Sequence, residues 1–112
     1  LWGYAPHEQL SLEALIDEQY RGIRPAPGYP ACPDHRVKSD LFRVLGCEDI
    51  GIDLTEHWAM NPASSICGFY LHHPQARYFN VGAVGEDQLQ DLAARDGASM
   101  EAIERSMPGL RL

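Results

Sequence analysis

The sequence has little positive charge and lacks any long apolar run. Nine lysines and arginines stand against sixteen aspartates and glutamates, so the formal net charge is −7 and the pI is about 5.0. Because binding to nucleic acid depends on cations that neutralise phosphates, this balance predicts no nucleic-acid partner. No stretch reaches the roughly 18 apolar residues that a membrane-spanning helix needs, so we expect no membrane partner either.

Cysteine is also scarce. Cys32, Cys47 and Cys67 show no CxxC spacing, and an odd number of this kind fits neither a disulfide framework nor a zinc knuckle. This usage predicts the cytoplasm as the compartment. No charged and then apolar leader opens the chain, so we expect no secretory signal. The opening "LWGYAP" reads like the interior of a longer polypeptide, and we expect the chain to be part of one.

The usual signatures of catalysis and metal binding are missing as well. GxSxG, P-loop and GxGxxG motifs do not occur, and no pair of histidines has the HxxxH spacing of a helical metal site. The neighbouring His72 and His73 would point to opposite faces of a strand, which favours a structural role. Cys32 lies near Asp34 and His35, but a loop cysteine that fills a small pocket is the preferred interpretation. The sequence therefore predicts no metal site and no catalytic residue.

What the sequence does contain is enough apolar material for one core. With 112 residues and 45% hydrophobic content, residues 1–112 should form a single domain or subdomain. Ser11 predicts the N-cap of a helix that runs to about Tyr20, and Pro33-Asp34 predicts the start of a second helix, which Gly46 ends. In the second helix the apolar side chains expected to face inward are Val37, Leu41, Val44 and Leu45.

The end of the chain predicts two more helices. One covers residues 86–96 and stops at Gly97, and the other is capped by Ser99, with Met100, Ile103 and Met107 facing inward.

Between the helix pairs the hydrophobic period changes to two. Alternation from Ile52 to Trp58, then in "SSICGFYLHH" and in "RYFNVGAV", predicts an antiparallel meander of about three strands. Gly68 inside the second of these should mark a bulge or a close approach of another group. Short helices flanking such a meander predict the α+β class.

Residues 21–35, "RGIRPAPGYPACPDH", form what we call the proline strap. Its four prolines restrict the backbone, so that the segment loses little entropy when it is ordered. Arg24 could grip a carboxylate, Gly28 would allow a close backbone approach, and Tyr29 offers a ring with a polar tip. A rigid connector between two helices would need the same prolines. The residues alone leave both interpretations open.

The proline strap and the later segment "LTEHWAMNPASSICGFYLHHPQARYFNVG" together resemble the activation domain of cobalamin-dependent methionine synthase. The RxxxGY motif within a proline-rich strap is specific to that family, and the resemblance covers nearly the whole chain. It implies that the chain corresponds to the C-terminal third of a larger activation-domain fold.

The resemblance also implies a function. The family domain binds S-adenosylmethionine (AdoMet) for the reductive methylation of cob(II)alamin, and so supports methyl transfer to homocysteine. Implied partners are the cobalamin-binding domain of the same enzyme and a flavodoxin-like or other flavoprotein reductant. The chain would then be part of a methyltransferase and inactive by itself. The alternative is a non-catalytic docking module for the cobalamin domain and the reductant that holds no AdoMet.

Site residues follow from the resemblance position by position. Arg24 corresponds to the arginine that holds the AdoMet carboxylate. Pro25, Ala26 and Pro27 border the nucleoside, and Gly28 and Tyr29 complete the motif, with Tyr29 toward the corrin.

The other side of the implied AdoMet site is aromatic. Tyr78 and Phe79 correspond to a pair that covers the adenine or faces the sulfonium. The turn at residues 59–64 corresponds to a segment near the docked corrin, although it could equally be a plain strand turn. The family's acidic residue near the ligand's amino group lies upstream of Leu1, so this chain is expected to carry only part of the site.

Overall fold

Short helices and one small sheet make up the regular structure of residues 5–110, the range that the computed structural model describes. In chain order the elements are α1 (Leu12–Ile16), α2 (Val37–Leu45), a 3₁₀ helix (Cys47–Ile50), β1 (Asp53–Leu54), β2 (Met60–Asn61), α3 (Glu86–Asp96) and α4 (Met100–Ser106). The first four residues of "LWGYAP" lie outside the described range. No helix within that range is long and apolar enough to cross a membrane.

The tightest packing lies between α3 and α4, as the sequence predicts. Leu89 and Ala93 of α3 enclose Ile103 of α4, which has no exposed surface. Burying a side chain of this size stabilises the fold by about 1.5–3 kcal/mol. Met100 and Met107 pack against the same cluster, which confirms the predicted inward face of the last helix.

The predicted C-terminus of α3 and the predicted N-terminus of α4 are also confirmed. Gly97 ends α3 in the left-handed conformation at φ 61°, and the Ser99 hydroxyl accepts a hydrogen bond from the Ala102 N–H at 3.2 Å. The hydroxyl therefore satisfies one of the unpaired N–H groups of the first turn of α4.

Helix α1 is shorter than the sequence predicts. Ser11 caps it as expected, but the helix ends at Ile16, and Glu18 adopts a left-handed φ of 57°. The prediction of a helix to about Tyr20 is therefore wrong. The short helix buries none of its residues, whereas Tyr20 contacts Arg24 in the strap, so tertiary contacts outweigh helix propensity here.

Helix α2 starts at Val37, later than predicted, because the preceding residues form a turn. In that turn the Asp34 carboxylate accepts a hydrogen bond from the Arg36 N–H at 2.8 Å. Gly46 ends the helix in the left-handed conformation, as predicted. Val44 and Leu45 were expected to face inward, but both are exposed on the outer face.

The sheet is smaller than the predicted meander. Asp53 pairs with Asn61 and Leu54 with Met60, so "MNPAS", predicted as a turn, supplies the second strand. The α+β class is confirmed, whereas the strands predicted in "SSICGFYLHH" and "RYFNVGAV" are absent from the described part of the chain.

For "SSICGFYLHH" the physical reason for this difference lies in the proline strap. Instead of pairing with its hairpin neighbour, the Phe69 N–H donates to the Pro25 carbonyl at 2.9 Å, and Leu71 exchanges two hydrogen bonds with Ile23. Pro25 has no N–H to return, so this pairing cannot extend into a continuous ladder. A Cβ at Gly68 would lie 3.1 Å from the Pro25 carbonyl oxygen, which confirms the predicted close approach.

Polar contacts join the α3–α4 pair to the end of the strap. Arg36 binds Asp34 at 2.6 Å and Asp96, the last residue of α3, at 2.8 Å. The His35 N–H donates to the Ser106 carbonyl at 2.9 Å. The packed helices therefore anchor the strap at its C-terminal end.

Candidate functional site

The proline strap forms one wall of an open cavity of about 630 Å³. This volume lies within the range of small-molecule sites in proteins, roughly 300–1,000 Å³. The opposite wall comes from the segment after β2 and from the aromatic pair at residues 78–79. The lining residues are Glu18, Arg24, Pro25, Ala26, Pro27, Tyr29, Pro30, Ala31, Lys38, Met60, Ser65, Ile66, Cys67, Tyr78 and Phe79.

This cavity brings together most of the residues that the sequence singles out. Arg24, Pro25, Ala26, Pro27 and Tyr29 line it from the strap, and Tyr78 and Phe79 line it from the other side. The aromatic pair is separated from Arg24 by more than fifty residues along the chain. Folding, and not sequence proximity, therefore creates the two walls.

Gly28 does not line the cavity, although its neighbours Pro27 and Tyr29 do. Its φ is 95°, and a Cβ there would lie 2.3 Å from the Cε1 atom of His35. Glycine is thus required both by the backbone conformation and by the imidazole that packs against it. Next to it, the Cys32 N–H donates to the Tyr29 carbonyl at 2.8 Å and closes the tight turn that presents Tyr29.

Arg24 is held on several sides. Its Nη2 donates to Glu8 Oε1 at 2.8 Å, and its guanidinium carbon lies 4.0 Å from the ring centre of Tyr20 and 4.9 Å from that of Tyr70. Its Nε is buried and has no hydrogen-bond partner among residues 5–110. Because an unpaired buried donor costs roughly 1–3 kcal/mol, this end of the cavity favours a further acceptor.

Tyr78 connects the aromatic wall to the strap. Its hydroxyl accepts a hydrogen bond from the Arg24 backbone N–H at 2.8 Å and forms a second hydrogen bond with the Tyr20 hydroxyl. Phe79, its neighbour, is 57% exposed, so one ring of the pair is anchored and the other presents a free apolar face.

Glu18 is a lining residue that the sequence does not reveal. It is the only carboxylate among the described residues that line the cavity, and it adopts the left-handed conformation. A bulky residue with positive φ is uncommon and often marks a functional site. No motif signals this position, which the sequence places only within the helix predicted to run to about Tyr20.

Lys38 is a second such residue, with only 6% of its surface exposed. Its Nζ donates to the Trp58 carbonyl at 2.8 Å and lies 2.9 Å from His35 Nδ1. Burial, and then the charge of Lys38, lower the pKa of His35, which favours the neutral imidazole. Lys38 therefore links His35, which packs against Gly28, to the Trp58 backbone just before β2.

The surroundings of Cys32 fit a structural role. Burial, and then the negative charge of Asp34, raise the pKa of the Cys32 thiol, so that it stays protonated and poorly nucleophilic at neutral pH. All three cysteines are free. Within residues 5–110, no three His, Cys, Asp or Glu side chains lie close enough together to hold a metal ion.

The turn at residues 59–64 lies beside the cavity. Met60 of β2 contributes to the wall, and the peptide bond between Asn61 and Pro62 is cis. The prediction that this turn faces a docked corrin concerns a contact between domains and stays a prediction.

Comparison with known proteins identifies the family. The sequence profile described as "Vitamin B12 dependent methionine synthase, activation domain" matches residues 1–97. The chain belongs to this family. Among solved structures, the chain is similar to one described as "Crystal Structure of the MetH Reactivation Domain bound to AdoHcy", with 46% sequence identity and a TM-score of 0.86.

The match is unequal in extent for the two chains. It covers 98% of this chain and 34% of that structure, so the chain spans about a third of the length of the activation domain that it matches. These matches confirm the resemblance to the methionine synthase activation domain that the proline strap indicated.

Proposed function

We propose that this chain contributes the strap side of an AdoMet site that serves the reactivation of cobalamin-dependent methionine synthase. The observation that carries the proposal is the cavity in which Arg24 and the strap face Tyr78 and Phe79. The similar solved structure, whose description names AdoHcy, supports the choice of ligand.

The residues present fit AdoMet in charge and in shape. AdoMet carries a carboxylate at one end, a sulfonium cation in the middle and an adenine at the other end. Arg24 has an unpaired donor for the carboxylate, Glu18 supplies negative charge for a cation, and Phe79 offers a flat apolar face. The prolines keep the strap backbone in place, which reduces the entropy lost when the ligand binds.

When bound, AdoMet supplies the methyl group, and the cobalamin belongs to another domain. The tasks left for this chain are binding, orientation and exclusion of water, which need no general acid or base. The lack of a catalytic motif agrees with this division. Docking of the cobalamin domain near Tyr29 and residues 59–64, and delivery of an electron by a flavoprotein, belong to the same proposal.

The first experiment measures ligand binding by Arg24 variants of the full-length protein. We expect Arg24→Ala to weaken AdoHcy binding by about 1.5–3 kcal/mol, the usual cost of losing a hydrogen bond to a charged group. Arg24→Lys should also bind more weakly, because lysine keeps the charge but lacks the planar fork. Isothermal titration calorimetry with AdoHcy measures both.

Arg95→Ala is the matched control, since Arg95 forms an ion pair with Asp91 on α3 and its side chain is 67% exposed. It should bind AdoHcy like the wild type. Wild-type affinity in both Arg24 variants would remove Arg24 from the site. A folded wild-type protein that binds no AdoHcy would instead favour the docking-module alternative.

A further inference from the structure

Tyr20 contacts both walls of the cavity without lining it. It lies in the bend that follows α1, and its ring centre is 4.0 Å from the guanidinium carbon of Arg24. A cation over a tyrosine ring at this distance is attracted by the electron-rich face of the ring. The ring therefore restrains the group that is proposed to hold the carboxylate.

The hydroxyl of the same side chain reaches the other wall. It is hydrogen-bonded to the hydroxyl of Tyr78, which also accepts the backbone N–H of Arg24 at 2.8 Å. Tyr78 is 40% exposed, and these two bonds restrain the hydroxyl end of its ring. Burial, and then the hydrogen bond with Tyr78, raise the pKa of Tyr20 to about 12, so this hydroxyl keeps its proton throughout the neutral range.

We propose that Tyr20 is a positioning residue for the AdoMet site, with its ring orienting Arg24 and its hydroxyl orienting Tyr78. The inference rests on the proposed function and deepens it. It separates two effects within one side chain: the ring acts on the amino-acid end of the ligand, and the hydroxyl acts on the adenine end.

Two ligands distinguish these effects. AdoHcy has both the amino acid and the adenosine, whereas 5′-methylthioadenosine has the adenosine but no carboxylate. Binding of both to the full-length protein is measured by calorimetry for Tyr20→Phe, Tyr20→Leu and the wild type. The melting temperature of each variant is measured in parallel.

Tyr20→Phe keeps the ring and loses the hydroxyl. We expect about 2–10-fold weaker binding of both ligands, the range that corresponds to one hydrogen bond. Tyr20→Leu also loses the ring. We expect a further loss of roughly 2–10-fold for AdoHcy and no further loss for 5′-methylthioadenosine, because only AdoHcy has a carboxylate for Arg24.

Tyr70→Leu is the matched comparison, since the Tyr70 ring also lies near Arg24, at 4.9 Å, and does not line the cavity. It should weaken AdoHcy binding and leave 5′-methylthioadenosine binding unchanged.

Three results would overturn the inference. Wild-type affinities in both Tyr20 variants would exclude the positioning role and leave the proposed function intact. If Tyr20→Leu lost equal affinity for both ligands and had a lowered melting temperature, the substitution would have loosened the fold in general. It would then have no separate effect on each end of the ligand. Failure of the wild type itself to bind AdoHcy would overturn the proposed function and this inference with it.

Discussion

Asp34 shows how one side chain at the end of the strap connects pH to stability. Burial acts to raise the pKa of this carboxyl, but hydrogen bonds from the Arg36 side chain and backbone and the Arg36 charge outweigh it, so the net pKa is lowered. Arg36 also binds Asp96. Ionised Asp34 therefore stabilises the link between the strap and α3.

This lowered pKa predicts the direction of an acid effect. A carboxyl with a depressed folded-state pKa stabilises the protein above its unfolded-state pKa, about 3.9. The stabilisation is lost as pH falls through the folded-state value. The free-energy difference between the wild type and Asp34→Asn, measured by urea unfolding, should be constant above about pH 5 and decrease below pH 4.

Asp40→Asn is the control, because the Asp40–Arg43 pair is about three-quarters exposed, with side-chain values of 76% and 74%. It should change stability little at any pH. A free-energy difference for Asp34→Asn that is the same at pH 3 and pH 7 would contradict the contribution of the ionised carboxylate.

At the scale of elements, α1 and α4 have the same N-cap and different environments. A serine hydroxyl accepts an N–H three residues later in both: Ser11 from Ala14 at 3.1 Å and Ser99 from Ala102 at 3.2 Å. Helix α4 buries Ile103 against α3, whereas α1 buries none of its residues. The same local bond should therefore contribute differently to global stability.

We expect Ser99→Ala to lower the free energy of unfolding by about 1 kcal/mol, the usual value of a serine N-cap. Ser11→Ala should lower it by clearly less, because α1 can unwind without opening the core. Urea unfolding of both variants measures this, with hydrogen exchange in α4 as a local readout. Equal effects would show that α1 is as strongly coupled to the fold as α4.

At the scale of the whole molecule, residues 5–110 are less compact than a typical domain of this length. The radius of gyration is 16.2 Å, whereas a compact domain of 112 residues would have about 13 Å. Few apolar side chains are buried, and several large ones are more than two-thirds exposed. The most exposed of these are Leu12, Ile16, Val44, Leu45, Ile50 and Ile66.

This exposure predicts the behaviour of the 112-residue chain when it is prepared by itself. We expect it to bind the dye ANS and to unfold with low cooperativity, because its core is small and its apolar surface is large. Dye fluorescence and urea unfolding check this, with the full-length protein as the comparison. Sharp unfolding without dye binding would show that the exposed side chains are covered, for instance by self-association.

The sequence predicted the elements that depend on local chemistry. The helix-ending glycines, the serine caps, the packed last helix and the family-specific strap all act within a few residues, so a linear pattern reveals them. It also pointed to Arg24, both from the strap residues themselves and from the resemblance, and to Tyr78 and Phe79 through the resemblance alone. Their contribution to binding stays a prediction.

What only the tertiary structure decided are the contacts between distant segments. The alternating residues of "SSICGFYLHH" predicted a strand, yet their backbone partner is a strap whose prolines lack the N–H groups of a ladder. The sequence predicted Glu18 and Tyr20 as the end of a helix. In the structure the chain bends after α1, which places Tyr20 against Arg24 and Glu18 at the cavity. Local patterns record propensity, and they carry no information about which distant group will satisfy a hydrogen bond or a charge.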